Sequence, residues 1–391
     1  MTAALAMITC PVEGCGHTGH YLAPHLSEVH GMDAEGLPAE QVESAALQDA
    51  MKVSRKAPDL ANLKVKFGRY EFPINANMRE EDCLPAVPFY FLPKKGRASR
   101  AHVRAVRALR NGEPCYIYGG PGTGKDSVIQ QFCAVQRKPS MMLAFTRGTD
   151  VKGWFYKQKI DAEGTGYQYG ALWHALTKGV EGRDGVREPI LVCFSDVDRG
   201  DEDQLEEFRL VLDTTSGRIL DPLGKTHKIL PGTQFVFTAN SNGNGADGMS
   251  SRPIDGSLID RMGEFIQFHH MNWSEECGIY RSIFSEMNEA CPDIFDDLGK
   301  SVTKIRALLE EGDLFCTSGL SMRGIQSVLK CADAVREEFP NWSHDKLLKE
   351  GWMSWLDRLD EDNRDVAKAA INEALRCGTF DDDEDEEEGA F

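Results

Sequence analysis

The chain has 391 residues, 41% of them hydrophobic, and so reads as globular, long enough for two or three domains with a sizeable buried core. Its formal net charge of −18 argues against general affinity for nucleic acid, although the run Asp381–Glu388 supplies eight of those charges. No stretch approaches the roughly 18 to 20 uncharged apolar residues of a membrane span, and the N-terminus has neither a basic region nor a long apolar core, so a cytoplasmic protein without membrane contact is expected.

Residues 1–35 read as a small metal-binding module. Cys10, Cys15, His25 and His30 give the spacing C-x4-C-x9-H-x4-H, and the two histidines lie five apart on an expected helix, a separation that lets two imidazoles meet one metal. His17 and His20 are alternatives for one ligand, and chance clustering is the competing reading. The segment is similar to Ros-type prokaryotic zinc fingers, which implies bound zinc. Residues 10–30 contain no Lys or Arg, so a protein-docking finger is favoured over a reader of nucleic acid. Residues 36–84 read as linker and lead-in.

Between 85 and 272 the apolar runs "EPCYIYGG", "SMMLAFT", "PILVCFSD" and "TQFVFTAN" alternate with helical stretches. That alternation predicts an α/β fold, a parallel sheet with helices on both faces. From 273 to 376 the apolar residues keep helical spacing with no strand candidates, which predicts a separate helical domain. Residues 377–391 carry the acidic run, which cannot bury enough apolar surface to fold alone and is expected to be a disordered tail.

The stretch "CYIYGGPGTGKDSVIQQF" presents a strand, then Gly119, Gly120, Pro121, Gly122, Thr123 and Gly124, then Lys125, Asp126 and Ser127 opening a helix. Glycines let backbone amides wrap phosphates closely, the helix N-terminus adds positive potential, and the lysine reaches the terminal phosphates of ATP. Such a loop ordinarily continues with Ser or Thr after the lysine; here Asp126 stands there. The second element is "ILVCFSDVDRG", where Ser195 occupies the place of the usual metal-side carboxylate and Asp196 that of the acid that orients the attacking water. The hydroxyl and carboxylate look exchanged between the two elements. Asp126 and Ser195 together would still offer magnesium two hard oxygen ligands. The competing readings place Ser127 in the loop role, bring in Asp198, or make the site bind nucleotide without hydrolysing it.

With these elements placed, residues 67–335 resemble AAA+ ATPases of the MoxR group, most closely the cobaltochelatase small-subunit family, through "FGRYEFPINANM", "PAVPFYFLPKK", "RGTDVKGWF" and "YGALWHALTKG". The resemblance implies a P-loop AAA+ core followed by a helical lid. It implies that Asn240, ending the strand in "TQFVFTAN", senses the γ-phosphate. It further implies that Arg261, in "IDRMGEF", reaches the ATP of a neighbouring subunit, with Arg252 a weaker candidate, and that Arg323, in "GLSMRGIQ", senses the nucleotide from the lid. The segment "DTTSGRILDPLGKTHKILPG" resembles the hairpin these ATPases carry beside a central pore. A homo-hexameric ring and a client with a von Willebrand factor A-type domain are the implied partners. The expected function is ATP-driven remodelling of a partner protein. The alternatives are a cobaltochelatase motor subunit, a nucleic-acid-associated regulator or defence component using the finger, and a non-hydrolysing nucleotide-binding scaffold.

Overall fold

The structure, a computed structural model, describes residues 64–375 except 68, 147, 162–163, 213–216, 245–252 and 317–318, together with two short paired strands, Ile8–Thr9 and Thr18–Gly19. Cys10, Cys15, His17, His20, His25 and His30 lie outside the described residues, as do Arg252 and the run Asp381–Glu388.

Among the described residues a five-stranded parallel sheet organises the first half: β1 Cys115–Tyr118, β2 Ser140–Ala144, β3 Leu191–Ser195, β4 Gln234–Ala239 and β5 Glu264–Gln267, in the order β5-β1-β4-β3-β2. The four apolar runs expected as strands are β1 to β4. The fifth, "EFIQ", was not anticipated: it lies at the sheet edge, and only two of its four residues are apolar. A central strand buried on both faces reads as a continuous apolar run, whereas an edge strand does not have to.

Side chains alternate across the sheet. Cys115, Ile117, Leu191, Cys193, Val236 and Ile266 pack on one face against α1 Gly96–Asn111 and α2 Lys125–Gln136. Tyr116, Val192, Phe194, Phe235 and Phe237 pack on the other, against α3 Ala171–Lys178 among others. A hairpin, Lys64–Phe67 with Tyr70–Pro73, adds Phe67 and Phe72 to the first of these layers.

Two further hairpins project from the second layer. In one, Tyr156–Asp161 pairs with Gly164–Tyr169; in the other, Arg218–Leu220 pairs with Thr226–Lys228. Their ends present Ile160 and Leu223, 78% and 76% exposed. The second is the hairpin expected from "GRILDPLGKTHK". Asp221, buried at its turn, accepts hydrogen bonds from Leu223 N (3.0 Å), Lys225 N (2.7 Å) and His227 Nε2 (2.9 Å), and from the Tyr169 hydroxyl of the other hairpin (3.2 Å).

The second half is helical: α4 Trp273–Ile283, α5 Ser285–Ala290, α6 Ile294–Glu311, α7 Met322–Glu338, α8 His344–Leu356 and α9 Glu361–Leu375. Its core holds Trp352, Trp355, Phe295 and Tyr280 fully buried. Ser321 and Ser343 cap α7 and α8 by accepting from Gly324 N and Lys346 N, the side-chain bond that satisfies an orphan amide of the first turn. Deep in this layer Glu276, fully buried, accepts two hydrogen bonds from Arg306 (2.7 and 2.9 Å) and one from the Tyr280 hydroxyl (2.6 Å). Among the described residues no helix is long and apolar enough to cross a membrane.

Candidate nucleotide site

The loop from Gly119 to Gly124 joins β1 to α2, so its amides gather at the C-terminal edge of a parallel sheet and at a helix N-terminus. Two glycines there are required by space as well as conformation. A Cβ on Gly119 (φ +150°) would sit 2.3 Å from the Phe268 carbonyl oxygen, and one on Gly122 (φ +76°) would sit 2.8 Å from Ser321 Cβ and Met322 N at the start of α7. The loop is thus in direct contact with both the segment after β5 and the helical half. Thr123 closes the loop by donating to Gly120 O (2.9 Å). Pro121 and Asp126 are exposed, and Ser127 is half-buried.

Lys125 is buried, and its Nζ donates to Gly119 O (2.7 Å), Gly120 O (3.0 Å) and Asn240 Oδ1 (3.1 Å). Burial pulls its pKa down, and the charge of Arg323 adds to that, while Asp126, Asp196 and Asp198 oppose it. Arg323, exposed in the first turn of α7, therefore lies within electrostatic reach of the loop lysine. Asn240 also donates through Nδ2 to Asp196 Oδ1 (3.4 Å). Lys125, Asn240 and Asp196 form one hydrogen-bonded chain across the ends of β1, β4 and β3. Asp196 has a left-handed backbone (φ +55°), a conformation that short polar side chains tolerate.

Asp126 accepts from the Thr238 hydroxyl on β4 (2.8 Å). Its charge is also felt by Cys193, whose thiol is pushed well up by burial first and by Asp126 second. Cys193 Sγ lies 3.7 Å from Ser195 Oγ. Asp126 is thus held by a hydroxyl of β4, while Ser195, 8% exposed, lies beside Cys193 at the end of β3; a carboxylate and a hydroxyl are each oxygen donors of the kind magnesium takes. The zinc ligands expected at positions 10, 15, 25 and 30 fall outside the described residues. Among the described residues no group of three or more His, Cys, Asp or Glu side chains is arranged to hold a metal.

Asp198 has a role that sequence reasoning missed. It is 2% exposed, and its Oδ2 accepts from the amides of Asn240 (3.1 Å) and Ser241 (2.9 Å). Through Oδ2 it fixes the turn that aims Asn240 at Lys125, while its Oδ1 is buried with no hydrogen-bond partner among the described residues. Its acidity three residues after Ser195 was visible; the backbone it caps, more than forty residues on, was not.

Beside the loop lies a cleft of about 520 Å³, bounded by the start of α1, by Gly119, Gly120 and Thr123, by His269, His270 and Asn272 after β5, and by Glu310 of α6. Arg261 is exposed, and its Nη1 donates only locally among the described residues, to Ser257 O (2.6 Å). No contact among the described residues brings it to Lys125.

Two histidines pack under the loop. Burial pushes His102 down from 6.5 to about 4, against the hydrogen bond its Nδ1 makes to Ala98 O, and burial with the charge of Arg306 pushes His270 down to about 4. Both are neutral when folded and protonate more readily when unfolded. Their contribution to stability is therefore complete above about pH 6.5 and is lost as the pH falls toward 4, by roughly 3 kcal/mol per histidine at the lower end. Urea midpoints measured from pH 7.5 to 4 are expected to fall across that window, and less steeply in His102→Gln.

A five-stranded parallel sheet with a glycine-rich loop and buried lysine after its second strand in space, and a polar strand end facing them, defines a P-loop nucleotide-binding domain. More narrowly, residues 114–262 match the family model described as AAA domain (dynein-related subfamily). Two point mutants of Thermotoga maritima RuvB are similar in fold, at 17% and 15% identity and a TM-score of 0.43, each over 75% of this chain and 81% of that one. No curated protein matches the chain in sequence.

Proposed function

We propose that the protein is a ring-forming AAA+ ATPase that hydrolyses ATP to remodel a partner protein or complex. The observation that carries this reading is the Lys125–Asn240–Asp196 chain: the phosphate lysine, the sensor and the candidate general base are already hydrogen-bonded to one another at the loop. In this reading Lys125 turns from the loop carbonyls to the β and γ phosphates, and the loop amides hold the phosphate oxygens. Asn240 orients the attacking water, Asp196 accepts its proton, and the base enters the cleft between α1 and His270. Asp126 and Ser195 would hold magnesium, which supplies charge neutralisation on the phosphates. Arg323 reaches the same phosphates from α7. Arg261, exposed and bonded only to Ser257 among the described residues, is free to act on a neighbouring subunit's nucleotide. The resemblance to MoxR-group ATPases supports a hexameric ring and a von Willebrand factor A-type client, and the likeness of residues 10–30 to Ros-type fingers supports zinc in the N-terminal module.

The test is magnesium-dependent ATP turnover across protein concentrations. Turnover per subunit is expected to rise with concentration in the wild type and to be lost in Arg261→Ala. In the same assay Asp126→Thr and Ser195→Asp are each expected to lower turnover, and the double variant to recover it. A double variant no more active than either single one sinks the exchange of metal ligands. Tight ATP binding with no turnover at any concentration sinks the motor and leaves a scaffold.

A further inference from the structure

Residues 94–111 hold seven Lys and Arg and no Asp or Glu, in a chain whose net charge is −18. Five of these cations, Arg97, Arg100, Arg104, Arg107 and Arg110, recur at spacings of three and four along α1. At about 100° per residue that spacing confines them to one face, an arc of roughly 140°. The opposite face, from Ala98 to Leu109, is buried against the sheet, and all five arginines are exposed. They form a band about 20 Å long that winds gently along one face of a rigid helix.

The row is poorly neutralised. Among the described residues its only carboxylate partner is Glu264, shared by Arg104 (2.8 Å) and Arg107 (3.0 Å). Arg110 lies over the Tyr70 ring at 5.4 Å, and Arg69 faces the same ring at 5.4 Å, which carries the positive surface on to the neighbouring hairpin.

We propose that the α1 arginine row is a docking surface for the phosphate backbone of duplex DNA. Guanidinium groups pair with phosphate in a planar fork, so arginine on a rigid support suits regularly spaced phosphates. A duplex strand advances 3.4 Å per nucleotide along its axis, so 20 Å of helix faces about six phosphates. A protein partner is disfavoured by what the row lacks: stable protein interfaces have an apolar, charge-depleted centre, and the side chains between these arginines offer only Ser99 and Val103 at its margin. The acidity of the whole chain does not forbid the contact, because at 0.1 M salt charges beyond about 10 Å are largely screened and the local charge decides. The inference is independent of ATP hydrolysis and of the N-terminal module.

The experiment is fluorescence anisotropy of a labelled, random-sequence DNA duplex with the full chain over a series of salt concentrations, comparing wild type with Arg100→Gln/Arg107→Gln/Arg110→Gln. Arg97 borders the nucleotide cleft and Arg104 keeps Glu264, so both are left in place. The triple variant is expected to bind at least tenfold more weakly at low salt, with a log–log salt slope shallower by about 2 to 3. Lysine at the same three positions is expected to restore most of the slope, which a merely unfolded variant would not do. The proposal is overturned if the wild type binds no duplex up to about 100 µM at low salt, the weak end of non-specific affinity. It is equally overturned if the triple variant keeps the wild-type slope. Binding of the peptide DDDEDEEE that depends on the row, with DNA ignored, would assign the surface to acidic polypeptide instead.

Discussion

Replacing Lys125 with alanine is expected to cut ATP turnover roughly 100- to 1,000-fold, the usual consequence of removing one preorganised donor from developing charge. The side chain is enclosed, and its ammonium already has three oxygen acceptors within 3.1 Å, so its position is set before any phosphate oxygen replaces them. The loss should appear in kcat and in ATP affinity alike, because the lysine meets the phosphates in both ground and transition states. Arginine is not an expected substitute: burial leaves no room at this position for a planar fork, and Asn240 would lose its single-point donor. Single-turnover kinetics at saturating ATP separate the two effects. A variant within a few-fold of wild type would mean that turnover does not run through this loop.

The second large effect concerns stability. Glu276→Ala leaves the Arg306 guanidinium, 14% exposed, without its two short carboxylate contacts and leaves the Tyr280 hydroxyl without its acceptor. Breaking one half of a buried ion pair costs about 3 to 5 kcal/mol, because the remaining charge is uncompensated. Arg306 also donates, weakly, to Leu320 O just before α7 (3.4 Å), so the loss is transmitted to the helix that touches Gly122. The expected result is a large drop in the urea midpoint of Glu276→Ala, most of it recovered when Arg306→Met is added. Equal stability of the single and double variants would show that the unpaired Arg306 charge is not the source of the loss, leaving the Tyr280 hydroxyl and the lost packing of Glu276.

The sheet was legible where its strands carry apolar runs, the three buried inner strands and also the edge strand β2, "SMMLA". "CYIY", "LVCFS" and "QFVFTA" are mostly apolar because both sides of the strand meet helices. The edge strand at 264 has no such pattern. Its Glu264 makes sense only once Arg104 and Arg107 lie across from it, and those partners are about 160 residues earlier. The phosphate loop was legible for a different reason, since glycines at fixed intervals before a lysine report a local backbone demand. Asp198 was not legible in its role, because capping the turn after β4 is a contact between two strands and leaves no local signature.

The arginine row carries a sharper lesson. Its three-and-four spacing is plain in "GRASRAHVRAVRALRN", yet an average over 391 residues gives a strongly negative chain. Net charge governs encounter at distances beyond a Debye length, and a row of fixed guanidinium groups acts well inside it. The expectation of no general affinity for nucleic acid followed from the first quantity, and only the folded helix, with its other face closed by alanine and leucine, exposes the second.

The single carboxylate of Asp221 serves two hairpins whose strands are separated in the chain by β3 and its flanking helices. Three of its four hydrogen bonds tighten its own turn, and the fourth ends on Tyr169 at the root of the other hairpin. The two arms therefore share a pivot: a push on Ile160 is resisted at the root of its own hairpin, where the load divides between Tyr169 and the turn that carries Leu223. The turn of one arm is tied to the root of the other through a single carboxylate.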